Sequence, residues 1–228
     1  MLESGLTWKD DERVANNESN KSVIAPTVRG RTESERHRWT ARRAEVVDTA
    51  AELFAAQGYS ATSIDDLVKA TGLQRGGLYH YMSSKKDLLI QIHERFIIPL
   101  LGDAKEIAAI DQPATDAIKQ LARALMSDID QYQAQVTVFL HEWKSVENDD
   151  AWTDIRAARK EFEDVVADVL RRGEKEGSFR IADVRLTLLA FLGMINYSYQ
   201  WYSKSGSVSP YQIADLFSSI FLQGIEID

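Results

Sequence analysis

The chain has 228 residues, of which 44% are hydrophobic and 27% charged, with four prolines and no cysteine. This composition allows a sizeable buried core and excludes disulfides and thiolate metal sites, and no run of roughly 18 apolar residues offers a membrane span. The net charge of −8 is unevenly spread: residues 36–90 carry 8 basic and 6 acidic side chains, whereas residues 91–228 carry 14 and 22.

Residues 1–38 lack helical or strand periodicity and are predicted to form a disordered polar tail, with no apolar stretch of the secretory type. The end of that tail, Arg29-Gly30-Arg31 through Arg36-His37-Arg38, is basic. It reads either as a solvated leader or as a flexible arm able to enter a minor groove. A helix over 40–57 follows, with Val46, Ala50, Leu53 and Phe54 on one stripe and Gly58 as its stop.

Residues 62–90 are the most informative stretch. Ile64, Leu67 and Val68 make one apolar helical face, and Thr62 with Asp65 has the spacing of a capping box. Gly72 suits a left-handed turn, and a second helix is predicted over 74–82, exposing Arg75, Tyr79, His80 and Tyr81 while Leu78 and Met82 face inward. Ser84 with Asp87 repeats the capping box and opens a third helix. Helix, short glycine-containing turn, helix is the layout that places a recognition helix in a DNA major groove. The net-positive segment is also the one with this layout, and phosphate contact needs local rather than global positive charge.

Within it, Gln74 and Arg75 stand where side chains reach base edges, and Arg is the commonest reader of guanine. Thr62 would offer its hydroxyl and the helix start to a phosphate. Gly76 and Gly77 each weaken a helix by roughly 1 kcal/mol relative to Ala. That cost makes sense if the backbone approaches DNA closely, or if the first helix leaves no room for a side chain.

A long helix over 85–110 connects onward, with Pro99 as either a kink or a boundary. Further helices are predicted over 113–133, 135–146, 150–176, 184–203 (capped by Asp183) and 210–225 (opened by Ser209-Pro210). There is no strand signal. The expected architecture is all-α: a three-helix helix-turn-helix DNA-binding domain in 39–84 and a larger helical ligand-binding and dimerisation bundle in 85–228. The last two helices are apolar nearly all round, which implies burial against a partner, or else a place in a monomer core.

Catalysis finds no support. His93-Glu94 and His141-Glu142 start like zinc-protease motifs, but Ile97 and Ser145 stand where the second histidine belongs. Gly72 and Gly77 have the outer spacing of a P-loop, yet Leu78 replaces the required lysine. No GxSxG elbow occurs. No enzyme activity, metal or cofactor is expected.

Ala50-x-x-Leu53-Phe54-x-x-x-Gly58-Tyr59-x-x-Thr62, with Gly72 and Leu78-Tyr79 to Leu88, resembles the N-terminal signature of TetR-family repressors. His80-Tyr81-Met82 and Lys86 depart from the usual pattern of that signature. By position in the motif, the resemblance implies phosphate or sugar contacts for Tyr79 and His80 and a phosphate anchor at Lys85. It implies that the last two helices pair with their twins, with Leu189, Gly193, Trp201, Leu216, Phe217 and Ile220 at a homodimer interface. It also implies an effector cavity between the middle helices, for which Met126, Phe139, His141, Trp143, Phe162, Asn196 and Tyr197 are the candidates. A cavity lined by aromatics with a few polar groups suits a mostly apolar small molecule.

Glu176-Gly177-Ser178-Phe179-Arg180, Gln200-Trp201-Tyr202 and Ser205-Gly206 are similar to a TetR subgroup that regulates lipid and steroid breakdown and senses acyl-CoA thioesters. Leu192, Asn196 and Gln200 supply no charge for CoA phosphates. Arg156, Arg159, Lys160, Arg171 and Arg172 supply it, or else they form helix-surface ion pairs. The function expected is a cytoplasmic, ligand-responsive repressor that binds palindromic operator DNA as a homodimer and is released by a hydrophobic effector such as an acyl-CoA. A drug-responsive regulator of an efflux pump and an effector-free DNA-binding protein are the alternatives.

Overall fold

A computed structural model describes residues 32–146 and 150–227; of the tail expected over residues 1–38, residues 1–31 lie outside them. The described chain is all-α, with helices α1 (Glu33–Gln57), α2 (Ile64–Thr71), α3 (Arg75–Leu78), α4 (Lys85–Ala109), α5 (Ala114–Gln131), α6 (Gln133–Val146), α7 (Thr153–Glu176), α8 (Val184–Asn196) and α9 (Pro210–Gln223). Short 3₁₀ turns precede α7 (Asp150–Trp152) and follow α8 (Tyr197–Gln200).

Helix α1 starts seven residues before the expected 40–57 helix, so residues 33–38 are helical rather than part of a disordered tail. The cause is local. Thr32 accepts the Glu35 amide while the Glu35 carboxylate accepts the Thr32 amide, and two glutamates sit in the positive first turn. These first turns are exposed on every side, so no apolar stripe announced them. Helix α4 continues through Pro99 to Ala109, so that proline marks no helix boundary. The predicted 184–203 helix stops at Asn196, and its remainder is held to α6 by Gln133 Nε2, which donates to the carbonyl of Tyr202 at 3.0 Å.

Val46, Val47, Ala50 and Phe54 of α1 close over Leu67, Leu78, Met82 and Leu88, making a small N-terminal core. Helix α4 runs out of that core and lies along α7, while α9 lies along α5. Each fully buried Leu or Ile here contributes about 1.5–3 kcal/mol. Helix α5 has no capping side chain of its own at Pro113; Glu176, at the far end of α7, accepts the Ala114 amide at 3.1 Å instead. Gly177, with φ 75°, closes α7, and the chain then pairs Phe179 with Glu226 beyond α9. Phe179 packs directly on Gly173, where an added Cβ would lie 2.0 Å from the ring. Gly173→Ala is expected to destabilise by about 1–3 kcal/mol through overpacking, read as a lowered Tm; an unchanged Tm would mean that Phe179 moves aside without cost.

Two buried ionisable groups lack full partners among the described residues. His93 of α4 sits against Trp152 and Phe139, its Nδ1 2.8 Å from the Leu89 carbonyl and its Nε2 unpartnered among the described residues. Burial lowers its pKa to about 4. Asp128 of α5 is raised to about 7 by burial and by the nearby Asp103. The histidine, depressed from 6.5, withdraws stability as pH falls from 6.5 towards 4. The aspartate, raised from 3.8, withdraws it as pH rises from 3.8 towards 7. Asp128→Asn should therefore raise Tm above pH 7 and leave a profile that only falls on acidification below pH 6.5; a Tm at pH 8 no higher than the parent's would contradict the assignment.

Candidate functional site

In the structure Ile64 is the first helical residue of α2, so the cap falls on Ser63 and not, as predicted, on Thr62. Ser63 Oγ accepts the Asp66 amide at 3.1 Å and Asp66 Oδ2 accepts the Ser63 amide at 2.9 Å. The Ser63 hydroxyl, donating to Asp66 Oδ2 at 2.6 Å, and the Ser63 amide together lower the Asp66 pKa. Thr62 is buried, its hydroxyl donating to the Gly58 carbonyl at 2.8 Å and accepting from Gln57 at 3.0 Å. That leaves its hydroxyl committed inside the protein, with Ser63 at the exposed helix start.

Gly72, at φ 66°, closes α2 and turns the chain into α3. Helix α3 is a single turn, shorter than the predicted 74–82, and beyond it the bonds tighten to His80 N–Gly77 O and Tyr81 N–Leu78 O. Two glycines in four residues account for the short span. Leu78 plugs into the core, so Gln74, Arg75, Gly76, Tyr79 and His80 are all exposed at one end of the molecule. A Cβ at Gly76 would meet nothing within 4 Å, and one at Gly77 would make only ordinary contact with Leu73 at 3.9 Å. Packing against α1 therefore does not require either glycine. Arg75 pairs with Asp65 of α2 at 2.6 Å, which presents its guanidinium beside α2 on an open surface and raises its pKa. Lys85 turns inward, donating to the carbonyls of Tyr59 and Thr62 at 2.8 Å each while lying over the Tyr59 ring. It ties the starts of α2 and α4 together.

This end is joined to the bundle through Asp48 of α1. Its carboxylate accepts from Arg95 Nη2 of α4 at 2.9 Å and from Gln135 Nε2 of α6 at 2.7 Å. Helix α6 then lines a small apolar chamber of about 40 Å³ enclosed by Phe96, Leu100, Leu125, Phe139, Phe162, Leu192 and Asn196. Arg159 also reaches this chamber, paired with Glu163 at 3.0 Å and lying 4.0 Å over the Trp143 ring. A larger open cleft of about 570 Å³ lies among Arg43, Gln91, Arg95, Ile98 and Asp154.

On the outside, α8 and α9 bury Leu188, Phe191, Leu192, Ile213 and Phe221 yet leave a second apolar face uncovered. Leu186 is 65% exposed, Leu216 58%, and Trp201 and Ile220 51% each, with Leu189, Gly193 and half-buried Phe217 between them.

A family model described as bacterial regulatory proteins, tetR family, matches residues 46–92, and one described as a tetracyclin repressor-like C-terminal domain matches residues 111–225. The HTH-type transcriptional repressor KstR2 of Rhodococcus jostii is 31% identical over 185 residues, covering 81% of this chain and 91% of that protein. This chain belongs to the TetR family. Like that family, it is a DNA-binding regulator and not an enzyme. The solved ketosteroid transcriptional regulator KstR2 of Mycobacterium tuberculosis superposes with a TM-score of 0.78 at 26% identity, over 89% of this chain and all of that one. The TetR-family regulator PfmR of Thermus thermophilus superposes at 0.71 with 28% identity, over 80% of this chain and 99% of that one. AibR, solved with isovaleryl coenzyme A and operator DNA, shares the TetR fold at 0.70 and 23% identity, over 78% of this chain and 97% of that one.

Of the residues proposed from the sequence for the TetR effector cavity, the structure brings Phe139, Phe162 and Asn196 to the chamber, with Trp143 at its Arg159 edge. Met126 is fully buried in the core away from the chamber wall. His141 is exposed and bonds the Tyr199 hydroxyl at 2.8 Å, and Tyr197 is 66% exposed on the outer apolar face. Phe96, Leu100, Leu125 and Leu192 line the chamber and were not chosen from the sequence, because their stripe spacing is that of any core residue.

Gly76→Ala and Gly77→Ala separate folding from recognition. Each is expected to leave Tm equal or higher, since Ala favours the helix by about 1 kcal/mol, while reducing affinity for a DNA duplex selected by the parent protein by tenfold or more. Undiminished DNA binding by both variants would show that the backbone makes no close approach at these positions.

Proposed function

We propose that this TetR-family chain is a homodimeric repressor that leaves its operator when a hydrophobic effector enters the α4–α7 chamber. The observation that carries the reading is the pairing of a helix tip without side chains, exposed at Gly76 and half-buried at Gly77, with an uncovered apolar face on α8 and α9. A second copy covering Leu189, Trp201, Leu216 and Ile220 removes that face from water. It also sets two α3 helices at a fixed separation, which must match about one DNA turn, roughly 34–36 Å, to read a palindrome. Residues 39–84 then act as the DNA-binding unit and residues 85–228 as the effector and dimer unit.

The effector class follows from the chamber and its relatives. Its lining is apolar apart from Asn196, Arg159 and Glu163, which suits an acyl or ring body with one polar handle. The repressor name of KstR2 and its description as a ketosteroid regulator, together with the isovaleryl coenzyme A in AibR, favour acyl-CoA thioesters over drugs. At about 40 Å³ the chamber is far smaller than the roughly 300–1,000 Å³ of a small-molecule pocket. An effector therefore enters by parting the helices that line it, among them α6, which carries Gln135, one of the two partners of Asp48. The displacement reaches α1 by that route and alters the separation of the reading helices. The size of the response is set by the difference in effector affinity between the two shapes.

The test is DNA binding to the chain's upstream intergenic duplex with and without a panel of acyl-CoA esters, their free acids and hydrophobic drugs. Release by thioesters alone is expected. Release by drugs alone would favour an efflux regulator, and specific binding that nothing relieves would favour an effector-free protein. Asp48→Asn should bind the duplex within about threefold of the parent yet need several times more effector for release; an unchanged release curve would rule out the Asp48 route.

A further inference from the structure

We propose that the first two turns of α1 form an additional DNA-contacting element, with Arg36 and Arg38 holding backbone phosphates that flank the bases read by α3. The proposal rests on the reading of α3 as the recognition helix. Residues 36–43 contain Arg36, His37, Arg38, Arg42 and Arg43 and no acidic residue. Three contacts fasten this part of α1 to the helix-turn-helix. The Trp39 ring stacks on Tyr81 with centroids 6.1 Å apart, and Arg42 Nη2 donates to the Thr71 carbonyl at 3.1 Å. Arg43 Nε donates at 2.8 Å to Gln91, whose amide donates in turn to the Tyr81 carbonyl at 3.2 Å.

Helical spacing carries those faces outward. Arg38 precedes Arg42 by four residues and Arg36 precedes Trp39 by three, so each shares the face of a docked residue. At 1.5 Å per residue they stand about 4.5–6 Å further along the axis. Both are exposed. Among the described residues neither meets a carboxylate: Arg38 bonds only the Ser34 carbonyl, at 3.5 Å, and Glu35 is committed to capping Thr32. Arg42, by contrast, pairs with Glu45. The turn under Trp39 follows Tyr79 and His80 directly, at the exit of α3. A recognition helix in a major groove has a phosphate strand along that edge, and an element docked on its exit turn faces that strand. Unpaired guanidinium groups on a rigid helix bind phosphates without ordering a flexible arm.

The probe is a duplex selected from a random-sequence pool by the parent protein, prepared with flanks of two and of ten base pairs beyond each half-site. For Arg36→Ala/Arg38→Ala, the slope of log affinity against log salt on the long duplex should fall by about 1.8 per protomer, at about 0.9 per lost phosphate contact. Affinity for the long duplex should fall at least tenfold, that for the short duplex should change little, and Tm should be unchanged. Arg36→Lys/Arg38→Lys should restore most of the slope, because the contact is to charge. A parental slope and parental flank dependence in the alanine variant would overturn the α1 contact alone. Failure of the parent to select any duplex would overturn the reading of α3, and this proposal with it.

Discussion

The carboxylate of Asp48 is the point on which the two ends of this molecule agree. It lies on α1, whose apolar side belongs to the small N-terminal core, and it accepts hydrogen bonds from α4 and α6 of the bundle. Rigid coupling through one carboxylate is possible because both donors are themselves fixed: Gln135 is buried, and Arg95 also lies over the Tyr132 ring. A change in the spacing of α4 and α6 cannot satisfy both bonds at their present length.

The chamber beside α4 and α6 is small, about 40 Å³, so a change in that spacing parts packed walls. Aromatic and aliphatic walls at contact distance lose dispersion energy when separated, so any molecule entering between them must replace those contacts with its own. The same close packing explains why small residues matter at particular points. Gly173 leaves room for Phe179, which in turn anchors the chain beyond α9 to the turn between α7 and α8. Where glycine has no packing reason, as at Gly76 and Gly77, the open space lies outside the protein.

Much of this was legible in the residues. The stripe of α1, the Gly72 turn, the apolar face of α2 and the Ser209-Pro210 start of α9 are local signals, and the helices stand where those signals put them. The two-sided apolar character of α8 and α9 was legible too, because a helix with more apolar surface than one face can bury shows it in composition alone. Errors came at ends. Ser63 displaced Thr62 as the cap by one position, the exposed start of α1 was invisible to apolar periodicity, and α3 ended after one turn.

What the tertiary structure alone decided is which side chains have prior commitments. Thr62 and Lys85 carry polar groups suited to a phosphate, yet Thr62 donates to the Gly58 carbonyl in its own connection, and Lys85 to the Tyr59 and Thr62 carbonyls that the packing of α4 on that connection brings near. His141 and Tyr197 have the chemistry of a cavity lining but point outward, whereas Leu100 and Leu125, without any distinctive chemistry, enclose the chamber. Sequence by itself determined the helices, the family and the chemistry on offer, because those depend on short-range spacing. Partner and direction depend on how helices distant in the chain cross, and that is set by the packing of the whole bundle.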